Sequence, residues 1–437
     1  MKKRRVLQFI MVGSIVLSPC LYLNIAWLRE NREAAEALYR LMLGCLLLLN
    51  NMFSKTTYQL NNVENVSAIS CVYYLCRQLF QILPDYAGAF NTLLVMLVYG
   101  MVRQMCNEFG WGIGKWISHW LYLVMGIYFV VGLANFLEEA SFLYQYHPNP
   151  SVGGVVVAVQ LVFLIIWWYV HPAGDRRWQR FQIMLCVAMM VVLIYTRSRS
   201  GWIGFAAAMV IFRDRLVRRT KNRLLQRLVG ILIMVMMLVF SLQFKTGSSA
   251  GRLLIYQVSG EILADHWLWG IGSGNFSRFY GIYQARHFEF SGIDSAQALS
   301  ADHVSYAFND LLQFVIEAGM PGLCVLMMGI YLFIKHIRTV LKSIEGKRLI
   351  FSLAMLAAIG CSSFFIYSLH HLPVLLLVLL ALAFLNASRI EDEQTKAKPG
   401  RLWLMLPCLA LIVYSAHEYS FYQKVKLARQ LARAGLV

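Results

Sequence analysis

The sequence predicts an all-α integral membrane protein, a polytopic bundle of about 12–13 transmembrane helices with one long loop on the outer side that contains amphipathic helices. Two observations predict it. Of 437 residues, 59% are hydrophobic and 14% charged, with mean hydropathy +0.58, and apolar blocks recur from one end to the other. Several of these blocks approach the roughly 20 residues that cross a bilayer as a helix. Nowhere does the chain show the alternation over about ten residues expected of an outer-membrane barrel, so the spans are helical, each satisfying its own backbone groups in lipid.

Spans are expected near 6–28, 34–53, 66–83, 86–105, 115–135, 152–170, 180–196, 201–213, 228–244, 310–335, 349–369, 371–387 and 402–416. The first follows MKKRR and is soon followed by another apolar block, which makes it a retained helix rather than a cleaved signal. Starting inside at that basic cluster, the parity of the spans puts HPAGDRRWQR, RDRLVRRTKNRLLQR, KHIRTVLKSIEGKR and SRIEDEQTKAKPGR on the cytoplasmic side, as the positive-inside rule requires. The net charge of +18 thus belongs to short loops facing lipid headgroups, not to a nucleic-acid partner. The chain divides into N-terminal helices (1–244), a loop (245–309), C-terminal helices (310–416) and a short basic helix (417–437) suited to anionic lipid. Nine cysteines lie in or beside apolar runs without a Cys-x-x-Cys, and read as packing residues with neither metal nor redox role.

Two arginines stand at the seam in YTRSRSGWIG. Fourteen residues separate Arg199 from Arg213 at the cytoplasmic surface, about 21 Å of helix against a hydrocarbon core of about 30 Å. Arg199, and Arg197 beside it, therefore sit below the outer interface, where a cation faces a protein-lined cavity or snorkels to headgroups. Ser200, Gly201 and Gly204 give the following helix a face of small residues for close packing.

The long loop opens with a stretch read as an amphipathic surface helix from Arg252 to Asp265, entered through Gly-Ser-Ser-Ala-Gly. Arg252 then falls in a first helical turn, where it opposes the macrodipole but suits an anionic ligand. GIGSGNF (Gly270, Gly272, Gly274) reads as a turn that lets backbone approach a ligand or a neighbouring helix. A helix is expected to begin near Tyr306. Asn309, Gln313 and Glu317 repeat at four-residue spacing along it, a polar stripe that suits a cavity or the headgroup layer.

Three segments resemble the O-antigen ligase and polymerase superfamily of bacterial inner-membrane glycan transferases. TRSRSGWIGF is similar to that family's Ser-Arg-Gly-x-Trp helix start, matched at Ser198, Arg199 and Trp202. GRLLIYQVSGEILADHWLWGIGSGNF resembles its arginine-bearing surface helix and glycine turn, with the arginine at Arg252. AFNDLLQFVIEAGMPGL is similar to its Asn-x-x-Leu-Gln-x-x-x-Glu-x-Gly-x-x-Gly helix, at Asn309, Leu312, Gln313, Glu317, Gly319 and Gly322. One position departs: many members carry His immediately before the Asn, where this chain has Phe308, and the nearest His is His303 with Asp302 beside it.

The resemblance implies transfer of a glycan from an undecaprenyl-pyrophosphate donor to an acceptor hydroxyl, with the long loop in the periplasm. The acceptor is the lipid A core in ligases, a glycan in polymerases and a protein hydroxyl in related oligosaccharyltransferases. Arg199 and Arg252 are expected to hold the pyrophosphate, because a guanidinium fork matches phosphate oxygens. His303, or Asp302, is the expected base. Arg197, Asn309, Gln313, Glu317, Arg278 and Arg286 are expected to line the substrate site, with no metal and no cofactor. A polyprenyl-linked glycan transporter is the rival reading, and it predicts internal repeats and midplane polar sites.

Overall fold

A computed structural model describes residues 2–22, 31–53, 62–81, 85–109, 112–137, 149–170, 176–219, 246–291, 304–343, 346–386 and 401–433. Among them every regular element is helical: α1 (Lys2–Leu17), α2 (Arg32–Phe53), α3 (Asn62–Phe80), α4 (Tyr86–Phe109), α5 (Gly112–Leu137), α6 (Pro150–Val170), α7 (Arg176–Tyr195), α8 (Arg199–Arg219), α9 (Thr246–His266), α10 (Phe276–Ser291), α11 (Asp310–Ser343), α12 (Gly346–Ser363), α13 (Leu372–Asn386) and α14 (Arg401–Arg433). Short 3-10 turns lie at Ser18–Tyr22 and Ser368–His370. Among the described residues Tyr86–Phe109, Ser151–Tyr169, Arg176–Ile194 and Asp310–Thr339 are long and apolar enough to cross a membrane; Arg5–Leu17, Arg199–Phe212, Leu349–Ser363 and Leu372–Asn386 are shorter apolar helices. The protein is an all-α membrane protein. The expected span 228–244 lies outside the described residues.

The core, aliphatic residues with Phe163, Phe205, Phe351 and Phe384 among them, is built where α6, α8, α12 and α13 meet. Small residues set the spacing there. A Cβ added to Gly204 would stand 2.3 Å from the Ala358 carbonyl oxygen of α12, and one on Gly201 would stand 2.6 Å from that of Gly154 in α6. The small face of α8 therefore brings backbones together, and Ser362 Oγ donates to the Ser200 carbonyl (2.9 Å) across the seam.

Buried charges tie further helices. Glu64 of α3 receives Arg103 Nε of α4 at 2.8 Å and the Tyr99 hydroxyl, to which Asn386 Nδ2 of α13 donates. Arg40 of α2 meets Glu418 of α14 at 3.1 Å. This pair, with Lys426 Nζ on Asn31 (2.7 Å), explains one departure from the sequence reading. Residues 417–433 do not form a separate helix but continue the helix of the expected span 402–416, because no Gly or Pro follows Pro407 within it and α2 packs along its length.

Candidate active site

The site rests on a break in α11. Its backbone leaves the helical region at Gly319 (φ 63°, ψ −162°), and Pro321 follows. Pro321 has no N–H for the Glu317 carbonyl four residues before it. That oxygen instead accepts from Gly272 N–H (3.1 Å) and Arg77 Nη2 (3.0 Å). The neighbouring groups pair likewise. Ile271 N–H donates to Ile316 O (3.0 Å), Met320 N–H to Trp267 O (3.0 Å), and Arg77 Nη1 to Ala318 O (2.9 Å). Arg77 Nη2 also donates to Trp269 O.

The glycine turn is thus clamped between α3 and α11. Gly270, Gly272 and Gly274 all have positive φ, and a Cβ on Gly270 would stand 2.5 Å from Glu317 O. The Gln81 side-chain amide donates to Ser273 O and accepts Ser273 N–H (3.0 Å each), and the Ser273 hydroxyl meets that of Tyr74 at 2.8 Å. Of the two approaches the glycines permit, the structure uses them for a neighbouring helix.

On this support α9 and α10 pack through Leu254, Val258, Ile262, Phe276 and Tyr280. Helix α9 begins at Thr246, so Gly-Ser-Ser-Ala-Gly is helical rather than an entering turn, and Arg252 lies in the second turn. The apolar residues of α9 recur at helical spacing with Ala and Gly between them, so tertiary packing against α10 and α11 carries the helix back through the glycines.

The polar stripe on α11 is internal. Asn309 Oδ1 caps the helix by accepting Leu312 N–H at 3.0 Å. Gln313, 3% exposed, accepts Ala307 N–H at 3.1 Å and donates to Glu317 Oε1 at 3.0 Å. Glu317 is 4% exposed, which removes it from the headgroup layer. These three side chains fix the segment before α11, where Phe308 takes a left-handed φ of 52°. The helix starts at Asp310, later than the expected Tyr306.

Arg252 is half-buried, and its guanidinium carbon lies 5.4 Å from the Phe308 ring centre, a cation–π contact. Its pKa is lowered, first by burial and then by the charge of Arg199; the Tyr256 and Tyr367 phenols act in the opposite sense. Its Nε is buried without a hydrogen-bond partner among the described residues. Arg199 opens α8 beneath Ser198, whose hydroxyl caps the helix by accepting Gly201 N–H at 3.0 Å. The charge of Arg199 thus acts on Arg252 from a separate segment.

Other expected residues stand apart. Arg197 has a left-handed φ of 46° and is exposed. Arg278 is exposed, and Arg286 pairs with Asp265 at 3.0 Å on the surface. The structure groups neither with Arg252. His303 and Asp302 lie outside the described residues.

A further cluster closes the site, and sequence reasoning passed over it. Tyr306 stacks on Tyr367 (ring centres 4.3 Å apart), and the edge of Tyr367 meets Phe308 at 5.0 Å. Asn149 Nδ2, ahead of α6, donates to the Tyr367 hydroxyl. Asp310 (6% exposed) faces His370 Nδ1 at 2.9 Å and accepts Leu369 N–H at 3.1 Å and Ser368 Oγ–H at 3.2 Å. The available signal was SLHHLP, a pair of histidines between two apolar runs.

Chemically, the cluster offers the Arg252 guanidinium with the charge of Arg199 acting on it, three packed aromatic rings and a carboxylate–imidazole pair. Residues 184–327, from within α7 to within α11, match the family model described as O-antigen ligase. No curated protein matches the chain.

Proposed function

We propose that this chain, whose residues 184–327 match the family model described as O-antigen ligase, is a metal-independent glycosyltransferase of the O-antigen ligase type. It moves a glycan from undecaprenyl pyrophosphate to a hydroxyl of the lipid A core at the periplasmic face of a bacterial inner membrane. The observation that supports this reading is Arg252, half-buried over the Phe308 ring with its Nε lacking a hydrogen-bond partner among the described residues, within the segment that matches the O-antigen ligase family model. The charge of Arg199 acts on Arg252, and a pyrophosphate, whose oxygens accept from guanidinium forks, is an anion that suits both. Half-burial of Arg252 strengthens its hold, because field lines there run partly through protein rather than water.

In the reaction the acceptor oxygen attacks the anomeric carbon of the donor sugar and a new C–O bond forms. The bond from that carbon to the pyrophosphate oxygen breaks, and its electron pair leaves with undecaprenyl pyrophosphate. Negative charge grows on the leaving oxygens in the transition state, where the two forks stabilise it without reorganising. The acceptor proton passes to a base.

The test is transfer in detergent from an undecaprenyl-pyrophosphate glycan to lipid A core, with EDTA present. Wild type forms product, Arg252→Ala slows it about 10²–10³-fold, and Arg252→Lys restores little, since a point charge lacks the fork. Elongation of the donor without ligation would replace this reading with a polymerase. Transfer to a protein hydroxyl would replace it with a protein oligosaccharyltransferase, and movement of intact donor across the bilayer with a transporter.

A further inference from the structure

We infer that His370, oriented by Asp310, is the base that takes the acceptor proton in this chain. The inference rests on the transferase reading. Its warrant is geometric.

Asp310 is buried and fixed at the start of α11. Its Oδ2 already accepts Leu369 N–H (3.1 Å) and the Ser368 hydroxyl (3.2 Å), and Ser368 in turn meets Ser363 Oγ at 2.9 Å. Its Oδ1 faces His370 Nδ1 at 2.9 Å. A carboxylate only accepts, so Nδ1 carries a proton, and in the neutral imidazole Nε2 presents a lone pair. The pair is asymmetric in exposure. The Asp310 side chain is 5% exposed and that of His370 is 31%, which leaves the imidazole accessible while its orienting partner is sealed. A base held by a third, buried group is the arrangement that proton abstraction from a hydroxyl requires.

The position fits as well. Tyr306 lies against His370 (ring centres 4.9 Å) and stacks on Tyr367, which meets Phe308, the ring beneath Arg252. His370 and Arg252 are therefore linked through a chain of three packed rings, Tyr306, Tyr367 and Phe308. In displacement at an anomeric carbon, attacking and leaving oxygens occupy opposite faces of the sugar. A base at one end of the ring chain and a phosphate-binding cation at the other is an arrangement of that kind.

Phe308 fills the place immediately before Asn309 with a side chain that cannot take a proton. The imidazole enters instead from the 3-10 turn Ser368–His370, 60 residues away in sequence and joined to Asp310.

The test compares wild type, His370→Gln and His370→Ala in the transfer assay, measuring kcat and donor KM separately. Gln keeps an N–H donor for Asp310, and hence the turn, but accepts no proton. Wild-type melting in detergent checks that the fold is kept. The expected result for Gln is a fall in kcat of about 10²–10⁴-fold with donor KM unchanged, and imidazole in the buffer partly restores the Ala variant. Wild-type kcat in the Gln variant, or a loss confined to donor KM, overturns the assignment. Absence of transfer in the wild type would strike the transferase reading itself, and this inference with it.

Discussion

Replacing Gly319 with Ala tests the support of the site at its tightest point. Its φ of 63° and ψ of −162° belong to a region that only glycine occupies readily, and an alanine there costs about 1–3 kcal/mol in backbone strain. The new Cβ would also stand 2.5 Å from Gly270 N, 2.6 Å from Trp269 C and 2.7 Å from Leu268 O, all of them backbone atoms with no rotamer to yield. Relief requires the turn 267–272 to move off α11, which loosens the bonds from Ile271, Gly272 and Met320 N–H at 3.0, 3.1 and 3.0 Å. Each contributes about 1 kcal/mol net, so the whole loss is about 2–6 kcal/mol. Because that turn joins α9 to α10, Arg252 loses its position along with the stability. The assay is thermal melting in detergent beside glycan transfer, with Gly329→Ala as control. Gly329 lies in the same helix with nothing within 4 Å of an added Cβ, and alanine favours a helix by up to about 1 kcal/mol. The control therefore melts at or slightly above the wild-type temperature. A Gly319→Ala protein as stable as its control would refute the account of the break.

Other substitutions probe neighbouring supports. Arg77→Met removes charged donors from the carbonyls of Trp269, Glu317 and Ala318, and is expected to cost about 2–5 kcal/mol; melting and transfer should fall together, and wild-type melting would contradict the clamp. Glu64→Gln leaves Arg103 buried without its 2.8 Å counter-charge, an expected loss of about 3–5 kcal/mol, read by melting and by yield from membranes. Arg286→Ala removes the exposed pair with Asp265, worth about 0–1 kcal/mol, and the cation over the Tyr283 ring; transfer within about twofold of wild type is expected, and a large loss would return Arg286 to the substrate site.

The legible part of the site was the part written in local patterns. Arg199 and Arg252 stood out because each sits where a cation opposes its surroundings, one too deep for the bilayer and one early in a helix. The glycine turn was legible as a close approach, though not as an approach to α3 and α11. The stripe of Asn309, Gln313 and Glu317 was visible as a repeat, but its partners, the Leu312 and Ala307 N–H groups and Glu317 itself, show that it frames the site from within. His370 carried almost no signal: its meaning lies in Asp310, 60 residues earlier.

By itself the sequence determined that this is an all-α membrane protein, since apolar run length and backbone self-satisfaction in lipid are local properties. It also determined which arginines stand in costly places. Only the tertiary structure decided that the charge of Arg199 acts on Arg252, that Arg77 holds the broken helix to the glycine turn, and that an imidazole from the far side of α12 faces Asp310. Hydrogen bonds and charge pairs depend on distances of a few ångström between segments far apart in the chain, and no periodicity along one strand of sequence encodes those distances.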